Sequence, residues 1–203
     1  MRGGKILFHN LNILIIDDSE SMQRLIGSML EGAVRGRLSM CRDTAAAAEM
    51  LEREPFHLLI VDRELTGECG LEFVRQTRTR PGPNRHIPVL VLSVNAFREV
   101  VLEALIAGAH SLLRKPLSRR ALIGHARRAL SEHWVFVPLG SRVVPLKPDI
   151  AEQLGDRPSE AEVIAALSAV VYSPAQPGEI LFRITAKAEP PRQMPVRSEF
   201  VLI

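Results

Sequence analysis

The stretch ILIIDDSE, residues 13–20, decides the fold. Its four leading apolar residues are bounded by polar ones, a pattern typical of a strand that is buried on both faces. Asp17 and Asp18 follow directly, and after Ser19 the apolar residues return at the spacing of one helix face. Those residues are Met22, Leu25, Ile26, Met29 and Leu30. This order predicts a strand, then a pair of carboxylates, then a helix.

The same alternation continues to about residue 131. Further short apolar runs predict four more strands, two of them weaker: RLSMC (37–41), HLLIV (57–61), VLVLS (89–93) and HSLLRK (110–115). Amphipathic stretches between them predict helices, with Asp43, Asn95 and Ser118 as candidate N-caps and Gly70 preceding another helix. Five strands alternating with five helices predict an α/β fold, a doubly wound parallel sheet with helices on both faces.

Composition limits the class of protein. With 203 residues, 46% hydrophobic and 24% charged, the chain suits one globular domain with an appendage. A net charge of +3 is too small to imply nucleic-acid binding. Cys41 and Cys69 are too far apart for a CxxC pair and too few for a metal cluster. We expect neither an export signal nor a membrane span, and hence a cytoplasmic protein.

Polar residues follow the predicted strands. Asp17 and Asp18 come after the first strand and Asp62 after the third, while Ser93 ends the fourth and Lys115 follows the fifth. The carboxyl ends of parallel strands share one edge of the sheet, so we expect these side chains to converge there. Clustered carboxylates repel one another unless a cation lies between them or a pKa is raised. Mg²⁺ suits such a site because it takes carboxylate, carbonyl and water oxygens, and often a phosphate.

These groups together can support in-line phosphoryl transfer. One carboxylate would be the nucleophile, while the metal ion and the Lys115 ammonium would stabilise charge on the phosphoryl oxygens. Ser93 would add a hydroxyl donor. For Asp17 and Asp18 taken alone, capping of the following helix is the alternative interpretation.

Four stretches, in order, resemble the receiver domain of bacterial two-component response regulators. They are ILIIDDSESM, LLIVDRELTGECGLE, VLVLS and SLLRKPL, and the intervals from Asp18 to Asp62 to Ser93 to Lys115 are 44, 31 and 22 residues. The resemblance covers residues 12–131, so we place a receiver domain at 1–131. It implies a flavodoxin-like five-stranded sheet with strand order 2-1-3-4-5.

The resemblance also implies a phosphoacceptor and a metal site. Asp62 would take a phosphoryl group from a sensor histidine kinase or a histidine phosphotransfer protein. The cofactor Mg²⁺ would be bound by Asp17, Asp18, Asp62 and the backbone carbonyl of Glu64, with Asp17 acting mostly through water. Lys115 would pair with the acyl phosphate, and its bond to Pro116 would be cis.

Signalling by protein contact is a further implication. Ser93 would move toward the phosphoryl group and carry the switch to the face built by the fourth helix, fifth strand and fifth helix. That face would contact an unknown downstream protein, and it would also be the surface of a homodimer if one forms. We expect no membrane or nucleic-acid partner and no enzymatic activity beyond self-catalysed phosphorylation and dephosphorylation of the aspartate.

Some positions depart from the family pattern. Thr66 stands where proline is common, Val94 where alanine or glycine is usual, and Leu112 where an aromatic switch residue is frequent. Glu64 places a negative side chain beside the entry for attacking water. Val94 and Leu112 favour one alternative, a pseudo-receiver that binds partners without phosphorylation.

A second alternative is an enzyme, a magnesium-dependent phosphatase of the haloacid dehalogenase type. Such phosphatases also form an aspartyl phosphate on a parallel sheet. They generally carry a second aspartate two residues after the nucleophile, and Glu64 occupies that position here.

Residues 132–203 are expected to form a C-terminal extension. The pattern SEAEVIAALSAVVYS predicts one helix over 159–173, opened by a capping box of Ser159 and Glu162. The apolar face of this helix should dock on the receiver or on a partner: Val163, Ile164, Leu167, Val170 and Val171. We expect the extended pieces HWVFVPL and SRVVPLK to pack on the receiver, and the end from about 187 to be flexible.

Overall fold

A computed structural model describes residues 8–169, 171–174 and 180–183. Its helices and strands follow in this order: β1 (Phe8–Ile16), α1 (Glu20–Leu30), β2 (Val34–Cys41), α2 (Thr44–Arg53), β3 (Leu58–Asp62), β4 (Glu64–Leu65), β5 (Glu68–Cys69), α3 (Gly70–Thr79), β6 (Val89–Ser93), α4 (Arg98–Ala107), β7 (Ser111–Arg114), α5 (Arg119–Ser131), β8 (Val135–Leu139), β9 (Arg142–Leu146), α6 (Pro148–Leu154), α7 (Glu160–Ser168), β10 (Val171–Pro174) and β11 (Ile180–Arg183). The part expected to be flexible from about 187 lies outside the described residues.

The central sheet confirms the predicted α/β fold. Its five strands lie in the order β2-β1-β3-β6-β7, and every neighbouring pair is parallel. Counted along these strands alone, the order is the expected 2-1-3-4-5. The five helices predicted between and after the strands are α1 to α5, and β4 and β5 form a small hairpin after β3 that the sequence pattern did not show.

Alternate residues of each strand enter opposite layers of the core. On one side Leu14, Leu59 and Val91 join a cluster with residues of α2, α3 and α4. On the other side Ile13 and Ile60 join a cluster with residues of α1 and α5. Because both faces are covered, the strand runs are apolar throughout and only their ends carry polar groups.

Most of the predicted helix starts are confirmed. Asp43 and Ser118 each accept a hydrogen bond from a backbone N–H in the first turn of α2 and α5. At α1 the cap is Ser19, not Asp17 or Asp18 as in the alternative interpretation. Helix α3 begins at Gly70, where an added Cβ would lie 1.9 Å from the backbone oxygen of Asp62. Glycine therefore lets α3 start directly against the end of β3.

The N-cap predicted at Asn95 is wrong. Helix α4 begins at Arg98 with Phe97 in the cap position and no side-chain cap bond. Asn95 instead donates its backbone N–H to Ser93 Oγ at 3.1 Å, so it belongs to the loop that leaves β6.

The extension forms a third core cluster against α4. Strands β8 and β9 pair as an antiparallel hairpin, and its apolar residues pack with α6, α7 and Leu105 of α4. The two extended pieces therefore pack on the receiver, as predicted. Helix α6, which the sequence pattern did not indicate, begins with Pro148 in its first turn.

The helix predicted over 159–173 is shorter than expected. Its capping box of Ser159 and Glu162 is confirmed, but α7 ends at Ser168 and Val171 lies in β10. The run of β-branched and aromatic residues after α7 favours a strand over a further helical turn. Of the predicted docking face, Val163 and Leu167 are buried against the receiver's α4 cluster, Ile164 is 37% exposed, and Val170 lies outside the described residues.

Within the described ranges, no helix is both long enough and apolar enough to cross a bilayer.

Candidate functional site

Three carboxylates meet at the carboxyl edge of the sheet, as predicted. Oxygen atoms of Asp17, Asp18 and Asp62 all lie within 4.8 Å of one another. Asp17 and Asp62 are almost completely buried, whereas Asp18 is more accessible. The parallel register places the ends of β1 and β3 side by side, with Ile16 opposite Val61, and this pairing brings the three side chains together.

Lys115 bridges the two buried carboxylates. Its Nζ donates to Asp62 Oδ2 at 2.6 Å and to Asp17 Oδ2 at 3.2 Å. The position of Lys115 is fixed through its backbone N–H, which donates to the carbonyl of Ser93 at 2.8 Å, and the peptide bond to Pro116 is cis, as expected. The lysine therefore supplies a fixed positive charge beside the carboxylate predicted to react.

The electrostatics of this pair follow from burial and charge. Burial raises the pKa of Asp62 and the Asp17 carboxylate adds to that effect, while the hydrogen bond and charge of Lys115 oppose it. Burial alone would lower the pKa of Lys115, but its bonds to Asp62 and Asp17 outweigh burial and raise that pKa. Lys115 is therefore held in its charged form.

Thr66 makes a contact that proline could not make. Its backbone N–H donates to Asp18 Oδ2 at 3.0 Å, and its hydroxyl donates to the same oxygen. These bonds lower the pKa of Asp18, the hydroxyl bond most of all. Thr66, which replaces the proline common in the family, thus connects the loop after β3 to Asp18 of the acidic site.

Gln23 is a positioning residue that sequence reasoning missed. Its buried side chain donates to the carbonyls of Asp17 (2.7 Å) and Cys41 (2.9 Å), which joins α1 to the ends of β1 and β2. The backbone N–H of Ser19 also donates to Asp17 Oδ1 at 2.9 Å. A glutamine within an amphipathic helix gives no sequence signal, because nothing shows that it faces a strand end.

Ser93 is buried at the end of β6 and bonds to Glu64. Its hydroxyl donates to Glu64 Oε1 at 3.0 Å, and the same oxygen accepts from Arg63 at 2.8 Å. Arg63 also donates to Glu103 of α4 at 3.1 Å. The Glu64 side chain therefore holds the Ser93 hydroxyl, and Arg63 connects this pair to α4.

The other two departures lie in different surroundings. Val94 is 55% exposed beside the site, whereas Leu112 is completely buried in the core of β7. Leu112 packs in the apolar core, and its side chain does not reach the surface of the protein.

The donor set fits a magnesium ion. Three carboxylates provide the hard oxygen ligands that Mg²⁺ takes in proteins. Burial of two of these acids near one lysine leaves an excess of negative charge, which a divalent cation would offset. The arrangement suits a site that receives a phosphoryl group on a carboxylate.

A five-stranded α/β sheet with three aspartates and a lysine at its carboxyl edge defines a receiver-type signalling protein. The family model described as the response regulator receiver domain matches residues 13–127, and the chain belongs to this family. It is thus a two-component signalling protein, and family membership favours this interpretation over the phosphatase of the haloacid dehalogenase type.

Curated relatives include chemotaxis proteins. The chain is 29% identical over 117 residues to chemotaxis protein CheY-3 of Vibrio cholerae, a match covering 58% of this chain and 89% of the relative. It is 30% identical over 112 residues to chemotaxis protein CheY of Pseudomonas aeruginosa, covering 55% and 90% of the two chains. Protein PetR of Rhodobacter capsulatus is 28% identical over 85% of this chain and 73% of its own.

Solved structures show the same fold. The chemotaxis response regulator CheY4 of Vibrio cholerae superposes with a TM-score of 0.55 at 25% identity, covering 60% of this chain and 99% of that one. The receiver domain of the sensor histidine kinase PA1611 from Pseudomonas aeruginosa superposes with a TM-score of 0.54 at 25% identity, covering 61% and 99%. That structure holds a magnesium ion coordinated in its active site cleft.

Proposed function

We propose that this chain is a phosphoacceptor response regulator that takes a phosphoryl group onto Asp62 from a phosphohistidine donor. The observation that carries the proposal is the pairing of Asp62 with Lys115 at 2.6 Å inside a cluster of three carboxylates. The donor would be a sensor histidine kinase or a histidine phosphotransfer protein. The chain would signal by protein–protein contact rather than by catalysis on a separate substrate.

In the transfer, a carboxylate oxygen of Asp62 forms a bond to phosphorus. The bond from phosphorus to the imidazole nitrogen of the donor breaks, and the imidazole leaves with that electron pair. Lys115 supplies positive charge beside Asp62, where negative charge develops on the phosphoryl oxygens.

Mg²⁺ would be bound by Asp17, Asp18, Asp62 and the backbone carbonyl of Glu64. Bound there, the ion would offset charge on the phosphoryl group. The magnesium site of the PA1611 receiver domain supports this assignment, because that fold superposes on this one. Asp18 is ready to serve as a ligand, since its lowered pKa favours the charged carboxylate.

Ser93 would act as the switch residue. For its hydroxyl to reach the phosphoryl group, it must leave Glu64 Oε1. Glu64 is bonded to Arg63, which is bonded to Glu103 of α4, so this exchange would change the contacts of α4. A switch of this kind needs no contact between the phosphoryl group and α4 itself.

We also propose that the chain divides into a receiver domain at 1–131 and an extension at 132–203. The extension packs on the α4 side, where Leu102, Leu105 and Ile106 join its core cluster. A homodimer through α4, β7 and α5 would therefore have to use the part of that face that the extension leaves open. An unknown downstream protein would meet the same restriction.

The proposal is tested by labelling with acetyl phosphate and Mg²⁺, followed by intact mass measurement. The wild-type chain should gain one phosphoryl group, and Asp62→Asn should gain none, because an amide is a far poorer nucleophile. Asp156→Asn, at an exposed position of the extension, is the matched control and should label like the wild type. Stoichiometric labelling of Asp62→Asn would remove Asp62 from its role, and an unlabelled wild type would favour the pseudo-receiver.

A further inference from the structure

A cavity of about 310 Å³ lies where the extension meets the receiver. Leu105 of α4, His110 before β7 and Ala129 of α5 line one side. Trp134 before β8 and Leu167 of α7 line the other. The cavity lies at the amino end of β7, whereas Lys115 and the carboxylates lie beyond its carboxyl end. Its volume is at the lower end of the range of small-molecule sites.

Two buried polar atoms of the lining residues have no hydrogen-bond partner among the residues that the structure describes. They are His125 Nε2 and Trp134 Nε1. His125 is 1% exposed, and its other ring nitrogen, Nδ1, shares a hydrogen bond with the Ser111 hydroxyl. Both atoms have almost no accessible surface, so they face packed protein rather than the open space of the cavity.

The two histidines that line the cavity are uncharged. His110 Nδ1 accepts from the backbone N–H of Val89 at 3.1 Å, so the proton of the neutral ring lies on Nε2. Burial keeps both histidines neutral, because it lowers the pKa of His125 to about 3 and that of His110 well below its usual range. The histidines therefore add no charge to the lining.

The charges that line the cavity balance one another. Two residues are cationic, Arg128 and Lys147, and two are acidic, Glu132 and Asp149. Lys147 forms an ion pair with Glu132 and lies over the Trp134 ring, 4.2 Å from its centroid. A charged ligand would meet opposite and like charges together, so the lining favours an uncharged one.

We propose that this cavity binds a small uncharged organic molecule with an apolar body. The ligand would lie against Leu105, Ala129 and Leu167. Because the walls come from both the receiver and the extension, the ligand would stabilise their docking. This site is independent of phosphorylation at Asp62.

The test uses the only tryptophan of the chain as a reporter. The full chain is titrated with ethylbenzene while the Trp134 indole N–H signal is followed by NMR. The signal should shift and saturate with a Kd of about 1 mM or tighter, a reasonable affinity for a ligand of this size. Benzoate carries a charge and should bind at least about tenfold more weakly, because moving an unpaired charge from water into the cavity is unfavourable.

Variants that fill the cavity provide the structural control. Ala129→Leu fills it from α5 and Leu167→Phe from α7, and either should abolish the saturable shift. Ala45→Leu makes the same change as the first variant at an exposed position of α2 and should bind like the wild type. Should the filled variants fail to fold, the Tm of the wild-type chain provides a second measurement, because ethylbenzene should raise it.

The proposal is overturned by any of three results. One is an indole signal and a Tm that do not respond to ethylbenzene, which would mean that the cavity holds water only. Another is equal affinity for ethylbenzene and benzoate. The third is a saturable shift that persists in folded Ala129→Leu and Leu167→Phe.

Discussion

Strand β7 has a polar site beyond each of its ends, and the two sites pair their polar groups differently. Beyond the carboxyl end, Lys115 binds both Asp62 and Asp17 directly. At the amino end, His125 Nε2 and Trp134 Nε1 have no partner among the described residues. Buried charges without partners cost far more than buried neutral groups. The first site is therefore built from complementary charges, whereas the second leaves only neutral rings unpaired.

The largest effect is expected at the amino end of β7, where acid should lower the stability of the folded chain. The pKa of His125 is about 3 in the folded chain, mainly because of burial, against an ordinary value of 6.5. As the pH falls below 6.5 the unfolded chain takes up a proton that the folded chain does not, so stability is lost as the pH approaches 3. We expect His125 to remove about 3 kcal/mol of stability between pH 7 and pH 4.

Urea unfolding at pH 7 and pH 4 measures this effect. His125→Gln should lose about 3 kcal/mol less between the two pH values than the wild type. His133→Gln removes an exposed histidine nearby and should keep the wild-type pH dependence. The same loss in all three proteins would show that His125 is not the residue that titrates, and the contrast between the two ends of β7 would weaken.

The next largest effect is expected for Lys115, whose charge lies beyond the carboxyl end of β7. Lys115→Gln should slow labelling by acetyl phosphate about 100-fold, because one fixed donor to the developing charge is lost. Lys147→Gln removes the same charge beside the cavity and should label at the wild-type rate. Rates come from intact mass measured over time. Equal slowing in both variants would point to a general loss of stability rather than to a role for Lys115 in the transfer.

A smaller effect is expected for the metal. Asp18→Ala should lower the affinity for Mg²⁺ at least about tenfold, since the ion would lose one of its few charged ligands. Backbone amide signals near Asp62 should be followed by NMR, because the only tryptophan lies at the other end of β7 and would report poorly. Asp149→Ala, beside the cavity, serves as the control. An unchanged titration in Asp18→Ala would remove Asp18 from the ligand set.

The smallest effect concerns the Glu64 contact. Glu64→Gln weakens the bond that holds the Ser93 hydroxyl, because a charged acceptor becomes a neutral one. The ratio of phosphorylated to free protein at steady state should rise about threefold, in line with the modest net value of one partly exposed hydrogen bond. Glu132→Gln leaves this contact intact and should show the wild-type ratio. A ratio that falls in Glu64→Gln would mean that the carboxylate supports Ser93 rather than restraining it.

The sequence predicts one of these two sites and not the other. Asp17, Asp62 and Lys115 each follow an apolar run, and parallel strands bring such ends to one edge, so their meeting could be inferred from order alone. The residues of the cavity come from α4, β7, α5, β9, α6 and α7 and from the segments beside these elements, and no spacing in the chain relates them. Their meeting depends on how the extension docks, which local patterns do not encode.

Helix ends and connections show the same limit. Amphipathic stretches and candidate caps predict the five helices of the receiver, but they could not show that α7 ends at Ser168 or that Thr66 binds Asp18. The apolar spacing of α7 continues to Val171, where β-branched and aromatic residues favour a strand. The bond from Thr66 joins residues that lie 48 positions apart in the chain. The Asn95 cap is wrong because α4 begins only at Arg98, with Phe97 in the cap position.

The assignment of the phosphoryl group to Asp62 is tested most directly by locating it on the chain. After labelling with acetyl phosphate and Mg²⁺, reduction with sodium borohydride converts an aspartyl phosphate into homoserine, which peptide mass mapping can place. We expect homoserine at position 62 alone, and its loss in Asp62→Asn. Homoserine at position 17 or 18, or none in a chain that gains a phosphoryl group, would contradict the assignment.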